Sequence, residues 1–236
     1  MNRKLTAVLL IAAAVLANAA FTALGSVFNY PDVLKEPAAD ILIAFRASQA
    51  AVTGWFAVLA LSSALFAPIA IGVGRLSDHR AMRMAVPVGI AAAVVQVIGL
   101  SRWPLLVPGY AADAASGDPA VADAAMQSFV TAHHILGNLI GESFGYLFTA
   151  AWTLLVLRAL SGVLAGRWFT ALGGVGAVLI LAGVLSPLNL PVIDDANFIG
   201  YVLWSVWLIV FGILLLVRRP TAGTASKVAP AGAVHR

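Results

Sequence analysis

The sequence predicts an all-α polytopic membrane protein: about six transmembrane helices in one bundle, with the N and C termini cytoplasmic. Three observations carry this. Charged residues are 10% of the 236-residue chain and hydrophobic residues 61%, whereas a soluble domain carries about 25% charge. Six apolar runs each approach the roughly 20 residues that a helix needs to cross a hydrocarbon layer about 30 Å thick. The segments between the runs alternate in charge.

The runs are residues 5–25, 50–74, 84–103, 137–157, 168–187 and 198–217. They use nearly the whole chain, so residues 1–219 form one transmembrane domain and 220–236, rich in Ala, Gly, Thr and Pro, a disordered cytoplasmic tail. Arg3, Lys4, Arg75, Arg80, Arg83, Arg158, Arg167, Arg218, Arg219, Lys227 and Arg236 fall in alternate segments, and only Lys35, Arg46 and Arg102 fall in the others. This is the positive-inside pattern, which places the basic segments in the cytoplasm and the protein in the cell (plasma) membrane, in a bacterium the inner membrane. The net charge of +4 is thereby a topology signal, and lipid rather than nucleic acid is the expected partner. Cysteine is absent, which excludes disulfides, thiolate metal sites and cysteine nucleophiles.

The first run follows Arg3 and Lys4 and contains Ala17-Asn18-Ala19, so it also reads as a cleavable signal peptide. Its continuation through Phe21 and Leu24 favours a retained first helix. In the first outer loop, Phe28-Asn29-Tyr30-Pro31 predicts a turn, because proline fixes its own φ and pushes Tyr30 toward extended geometry. After Pro37 a short helix brings Ile41, Leu42 and Phe45 to one face. That face suits either the membrane surface or an ordered loop packed over the helix ends. In the second outer loop, Asp118-Pro119 is an N-cap and first-turn pair, from which a helix runs into the fourth span and extends it above the membrane.

Residues 28–34 (Phe-Asn-Tyr-Pro-Asp-Val-Leu), Glu36-Pro37 and the stretch from Ile41 to Phe45 resemble the first outer loop of a bacterial multipass membrane family, the domain-of-unknown-function 4386 family. The resemblance implies the membrane fold and carries no activity.

The fourth span holds most of the polar information. At 100° per residue, His134, Gly137, Asn138, Gly141, Glu142, Gly145, Thr149 and Trp152 fall within about 140° of arc. Leu136, Leu139, Ile140, Leu147, Leu154 and Leu157 lie largely outside it. Gly137, Gly141 and Gly145 form a strip for close helix packing, with the first helix, through Ala14, Asn18 and Thr22, as the expected neighbour. Glu142 is ionisable within a span, and such residues are functional by default. It lies roughly 24 Å in from Arg158, while Gln96, Ser62, Ser205 and Asn18 lie roughly 20 Å in on other helices. Asn18 or Gln96 is therefore expected to meet Glu142. His133 and His134 sit nearer the outer interface, and only His134 shares the polar arc.

Two motif matches are discounted. Gly141-Glu142-Ser143-Phe144-Gly145 fits a nucleophile-elbow pattern, yet it lies inside an apolar helix rather than on a strand-to-helix turn. The sixth span carries no histidine that could serve Ser143. His134, Asn138 and Glu142 lack a second strong metal ligand, so no metal, cofactor or catalytic residue is assigned. Two function classes follow: a small transporter or proton-linked permeation protein using Glu142, or a non-catalytic sensor, regulator or partner-binding subunit.

Overall fold

A computed structural model describes residues 2–160, 162, 164, 166–188 and 190–218. The tail expected at 220–236 lies outside the described residues. The described residues are almost entirely helical and contain six helices long and apolar enough to cross a membrane. Helix is the form that an apolar run takes in lipid, because it satisfies every backbone N–H and C=O within the segment.

The first span is α1 (Arg3–Phe28). Asn2 caps it by accepting a 2.7 Å bond from the Leu5 N–H, and it ends where Asn29 turns left-handed at φ 51°. The Tyr30–Pro31 peptide is cis. A single 3-10 turn, Asp32–Lys35, leads to α2 (Ala38–Ala47). The second span is split into α3 (Gln49–Ala64) and α4 (Phe66–Gly74). The break at Leu65 lies three residues before Pro68, which has no N–H to offer the carbonyl four residues back.

The third span, residues 80–113, is α5 (Arg80–Leu105) continued by α6 (Val107–Asp113). The fourth, residues 119–160, joins α7 (Pro119–Ala132), a π-helical stretch His133–Phe144 and α8 (Gly145–Leu160). Asp118 accepts a 2.9 Å bond from the Ala120 N–H and Pro119 opens the first turn. At 42 residues this span is on the order of 60 Å long, about twice the hydrocarbon thickness, so it stands well clear of a bilayer. The fifth span is α9 (Arg167–Ala182) with a 3-10 extension, Gly183–Leu188, and the sixth is α10 (Pro191–Val217). The start of α1 and the end of α10 meet at one end of the bundle, where Arg3 Nε donates to the Leu215 carbonyl at 2.9 Å. That end carries most of the basic residues and is called the basic end; the opposite one is the acidic end.

Two apolar clusters hold the bundle. Toward the basic end, Trp152, Trp207, Phe66, Phe169 and Phe211 interlock among α1, α4, α5, α8, α9 and α10. At the acidic end, Phe28, Phe45, Phe56, Trp103 and Phe129 form the second, with the Phe56 and Trp103 rings stacked at 4.6 Å. Ile41, Leu42 and Phe45 of α2 are buried in that cluster. The loop helix therefore presses its apolar face onto the span ends rather than onto lipid. Covering aromatic surface in this way stabilises by about 25 cal/mol per Å².

Candidate functional site

The glycine strip of the fourth span meets the third span, not the first. A Cβ on Gly99 would stand 2.5 Å from the Gly141 Cα, one on Gly137 2.7 Å from Arg102 Nη2, and one on Gly145 3.1 Å from Gln96 Cγ. Gly137, Gly141 and Gly145 thus face Arg102, Gly99 and Gln96 in antiparallel order. α1 packs instead against the second and sixth spans. The difference arises because small residues show which helix face can be approached closely, not which neighbour takes it.

The π segment redistributes the polar arc. Its backbone hydrogen bonds span five residues rather than four, which locally shifts the rotation of the helix. Ser143 Oγ follows this spacing and donates to the Asn138 carbonyl at 2.9 Å. Asn138 Nδ2 donates to His134 Nδ1 at 3.5 Å. His134 is exposed. His133 is the histidine that turns inward: its Nδ1 accepts from Arg102 Nη2 at 3.3 Å and its ring stacks on Phe129.

Two polar groupings result. The first is a hydrogen-bond chain through the middle of the bundle. Ser63 Oγ donates to Gln96 Oε1 at 3.4 Å, and Gln96 Nε2 donates to Thr149 Oγ1 at 2.9 Å. The Trp204 indole donates to Thr153 Oγ1 at 2.8 Å, and Thr153 Oγ1 donates to the Thr149 carbonyl at 2.8 Å. This ties the second, third, fourth and sixth spans together, each bond contributing about 0.5–1.5 kcal/mol. Gln96 is thereby committed to Thr149 rather than to Glu142.

The second grouping is Arg102 with Glu142. Arg102 is 5% exposed. Its Nη1 donates to the Gly99 carbonyl at 2.5 Å, its Nη2 to His133, and its Nε has no acceptor. The Arg102 and Glu142 charges act on each other through space, yet among the described residues the pair forms no salt bridge and the Glu142 carboxylate accepts no hydrogen bond. Three tyrosines, Tyr30, Tyr146 and Tyr201, feel the Glu142 charge. The Tyr146 and Tyr201 rings are 5.9 Å apart, and the Tyr30 ring sits edge-on to Phe21 and Phe56. Burial pushes the Tyr30 phenol up to about 12, with Glu142 adding to the effect and Arg102 opposing it. At neutral pH Tyr30 is therefore a hydrogen-bond donor.

Asn18, Ser62 and Ser205 do not join Glu142. Asn18 is exposed and donates to the Ala14 carbonyl at 2.7 Å, and Ser62 donates to the Leu59 carbonyl at 2.8 Å. Ser205 is half-buried on α10 without a bond to the carboxylate. Depth along a helix aligned these residues, but azimuth separates them. In the outer loop, Phe28 is buried, Asn29 supplies the left-handed turn, and Tyr30 and Pro31 lead the chain over the site. Arg102 is the residue that sequence reasoning counted only as an outer basic residue. The available signal was its place between Leu100 and Trp103 at the end of an apolar run, where a charge needs a specific reason.

The chain belongs to the family described as Domain of unknown function (DUF4386), whose model matches residues 5–212. No curated protein and no solved structure matches it.

Proposed function

We propose that this DUF4386 member is a small transporter or proton-linked permeation protein of the cell membrane, in a bacterium the inner membrane. Both termini are cytoplasmic, and Glu142 is the working group. The observation that carries the reading is the Glu142 carboxyl group set inside the fourth span without a salt bridge among the described residues. An ionisable group placed in a membrane span is costly and is functional by default. A carboxyl group so placed can exchange a proton or hold a cation in transit. The π stretch that carries it supports the same reading, because such segments concentrate at functional sites.

The test is proton movement into liposomes that hold a trapped pH indicator, under an imposed pH gradient. Wild-type protein should carry protons faster than Glu142→Gln, with both proteins monodisperse in detergent. Equal rates would remove Glu142 from any permeation role. The second reading, a non-catalytic sensor, regulator or partner-binding subunit, draws support from the projecting acidic end. There α6 and α7 form an open groove of ≈ 390 Å³ lined by Tyr110, Asp113, Val121 and Ser128. A subunit of that kind should tolerate Glu142→Gln in its cellular role.

A further inference from the structure

We infer that the groove between α6 and α7 docks a basic amphipathic helix of a partner protein, with a lysine or arginine of that helix set against Tyr110 and Asp113. The inference goes beyond the reading of Glu142, does not depend on it, and gives the partner-binding reading a surface and a partner chemistry.

The groove stands where lipid does not cover it. The fourth span runs from Pro119 to Leu160 and closes at the basic end, so its length in excess of the hydrocarbon thickness falls at the α7 end. α7 has 14 residues, about 21 Å of helix, and Asp123 is its one charged residue. Ala120, Val121, Ala124, Ser128 and Val130 are exposed along it. Inside a bilayer, lipid covers such a face; clear of the bilayer, an exposed apolar face marks a contact with protein. The shape suits a helix. Ala120, Ala124 and Ser128 recur every four residues and line one wall of the ≈ 390 Å³ groove, while Tyr110 and Asp113, one turn apart on α6, line the other. Small residues at this spacing let a second helix backbone come close. No strand among the described residues offers an edge to an extended peptide.

Charge selects the partner. Asp113 is exposed in the groove and enters no ion pair among the described residues. Asp118 and Asp123 are exposed beside it on the fourth span, and Asp194 and Asp195 are exposed on α10. The basic residues of this end are held or turned elsewhere. Lys35 is paired with Asp32 at 2.7 Å, Arg102 is buried, and Arg46 lines a separate, smaller pocket against α2. A second copy of this chain would bring the same carboxylates against the first set, so like charge opposes self-association through the groove. A basic helix meets the opposite sign. A lysine or arginine at the Tyr110 ring beside the Asp113 carboxylate gains cation–π attraction together with charge. The occupant that fits is a helix with small or apolar residues on one face and basic residues along its edge.

The experiment uses the full chain in phosphatidylcholine nanodiscs, whose lipid carries no net charge, with empty nanodiscs as baseline. A dye-labelled helical peptide of alanine, leucine and lysine is titrated and read by anisotropy. Beside it stand the same peptide with glutamate for lysine, a scrambled lysine peptide without an apolar face, and lysine amide as a competitor. The lysine helix should bind about tenfold or more tighter than the glutamate and scrambled peptides, and less tightly as salt rises. Asp113→Asn should weaken it several-fold. Ala124→Gln, which fills the groove from an exposed position, should weaken it about tenfold or more. Both variants should unfold at the wild-type temperature, and Glu142→Gln should bind as wild type does. Glutamate or scrambled peptide binding as tightly as the lysine helix overturns the inference. So does full affinity in either Asp113→Asn or Ala124→Gln, displacement by an equal concentration of lysine amide, or no binding of the lysine helix. A dimer in sedimentation that Ala124→Gln dissolves would assign the groove to a second copy and overturn it too. Proton flux that depends on Glu142 without helix binding would leave the transport reading standing and remove only this inference; helix binding without flux would do the reverse.

Discussion

Gly99→Ala is the sharpest probe of how the third and fourth spans meet. A Cβ on Gly99 would stand 2.5 Å from the Gly141 Cα and 2.9 Å from the Leu136 carbonyl oxygen. Both are backbone atoms, so no side-chain rotation relieves the clash and the helices must move apart. Overpacking of this kind costs about 1–3 kcal/mol, to which lost contacts along the strip add. The better helix propensity of alanine returns about 0.5–1 kcal/mol. The net expectation is a clear loss of stability. Gly54→Ala is the matched control, since nothing stands within 4 Å of its added Cβ, and it should gain about 0.4–1 kcal/mol. Gly141→Leu should lose at least as much as Gly99→Ala, because even its Cβ would lie 3.0 Å from the Gly99 Cα. Leu147→Ala, at a position 43% exposed, should lose much less. The assay is thermal unfolding in one detergent, followed by both tryptophan fluorescence and loss of the monodisperse peak. Shifts of the same sign for Gly99→Ala and Gly54→Ala would refute the close backbone contact, and equal losses for Gly141→Leu and Leu147→Ala would refute the face assignment.

Reporter fusions after Arg80 and Arg167 should read cytoplasmic and fusions near Asp118 and Asp194 external; an external signal at Arg167 would end the proposed orientation. Tyr30→Phe should change the pH dependence of stability. The folded phenol titrates near 12 against 10.0 for the free group, so its contribution is whole below pH 10 and is lost as pH rises toward 12. Wild type should therefore lose up to roughly 2–3 kcal/mol relative to Tyr30→Phe across that window, and parallel curves would show that the Tyr30 phenol is not buried. Asp118→Ala removes the acceptor of the Ala120 N–H and should cost about 1 kcal/mol, visible as faster proteolysis near the start of α7.

The site was only partly legible in advance. Glu142 and the glycine strip could be singled out because a charge and a row of small residues stand out in any apolar run. The partners of Glu142 could not. Its distance from Arg158 is a count of residues, but which residues face it depends on rotation, and the π stretch changed that rotation over 12 residues. His133, rather than His134, is the histidine that meets Arg102. Arg102 escaped notice because a basic residue near the end of a span also reads as an interfacial anchor, and only packing reveals that it is 5% exposed.

The all-α membrane fold, with its six spans, and the amphipathic face of α2 were determined by the sequence alone. Lipid forces each apolar run to close its own backbone hydrogen bonds, so run length and spacing suffice to find the helices. The family resemblance was likewise carried by a contiguous loop, residues 28–45, that needs no tertiary context. Tertiary structure decided the rest: that α2 covers aromatic rings rather than lipid, that Gln96 serves Thr149, that the strip of glycines receives the third span, and that Arg102 lies buried against Gly137 and His133. In a lipid-facing bundle almost every helix has some small residues and some apolar surface, so local pattern leaves several neighbours nearly equivalent. The choice among them falls to shape: where two backbones can approach within contact, and where a buried charge finds room.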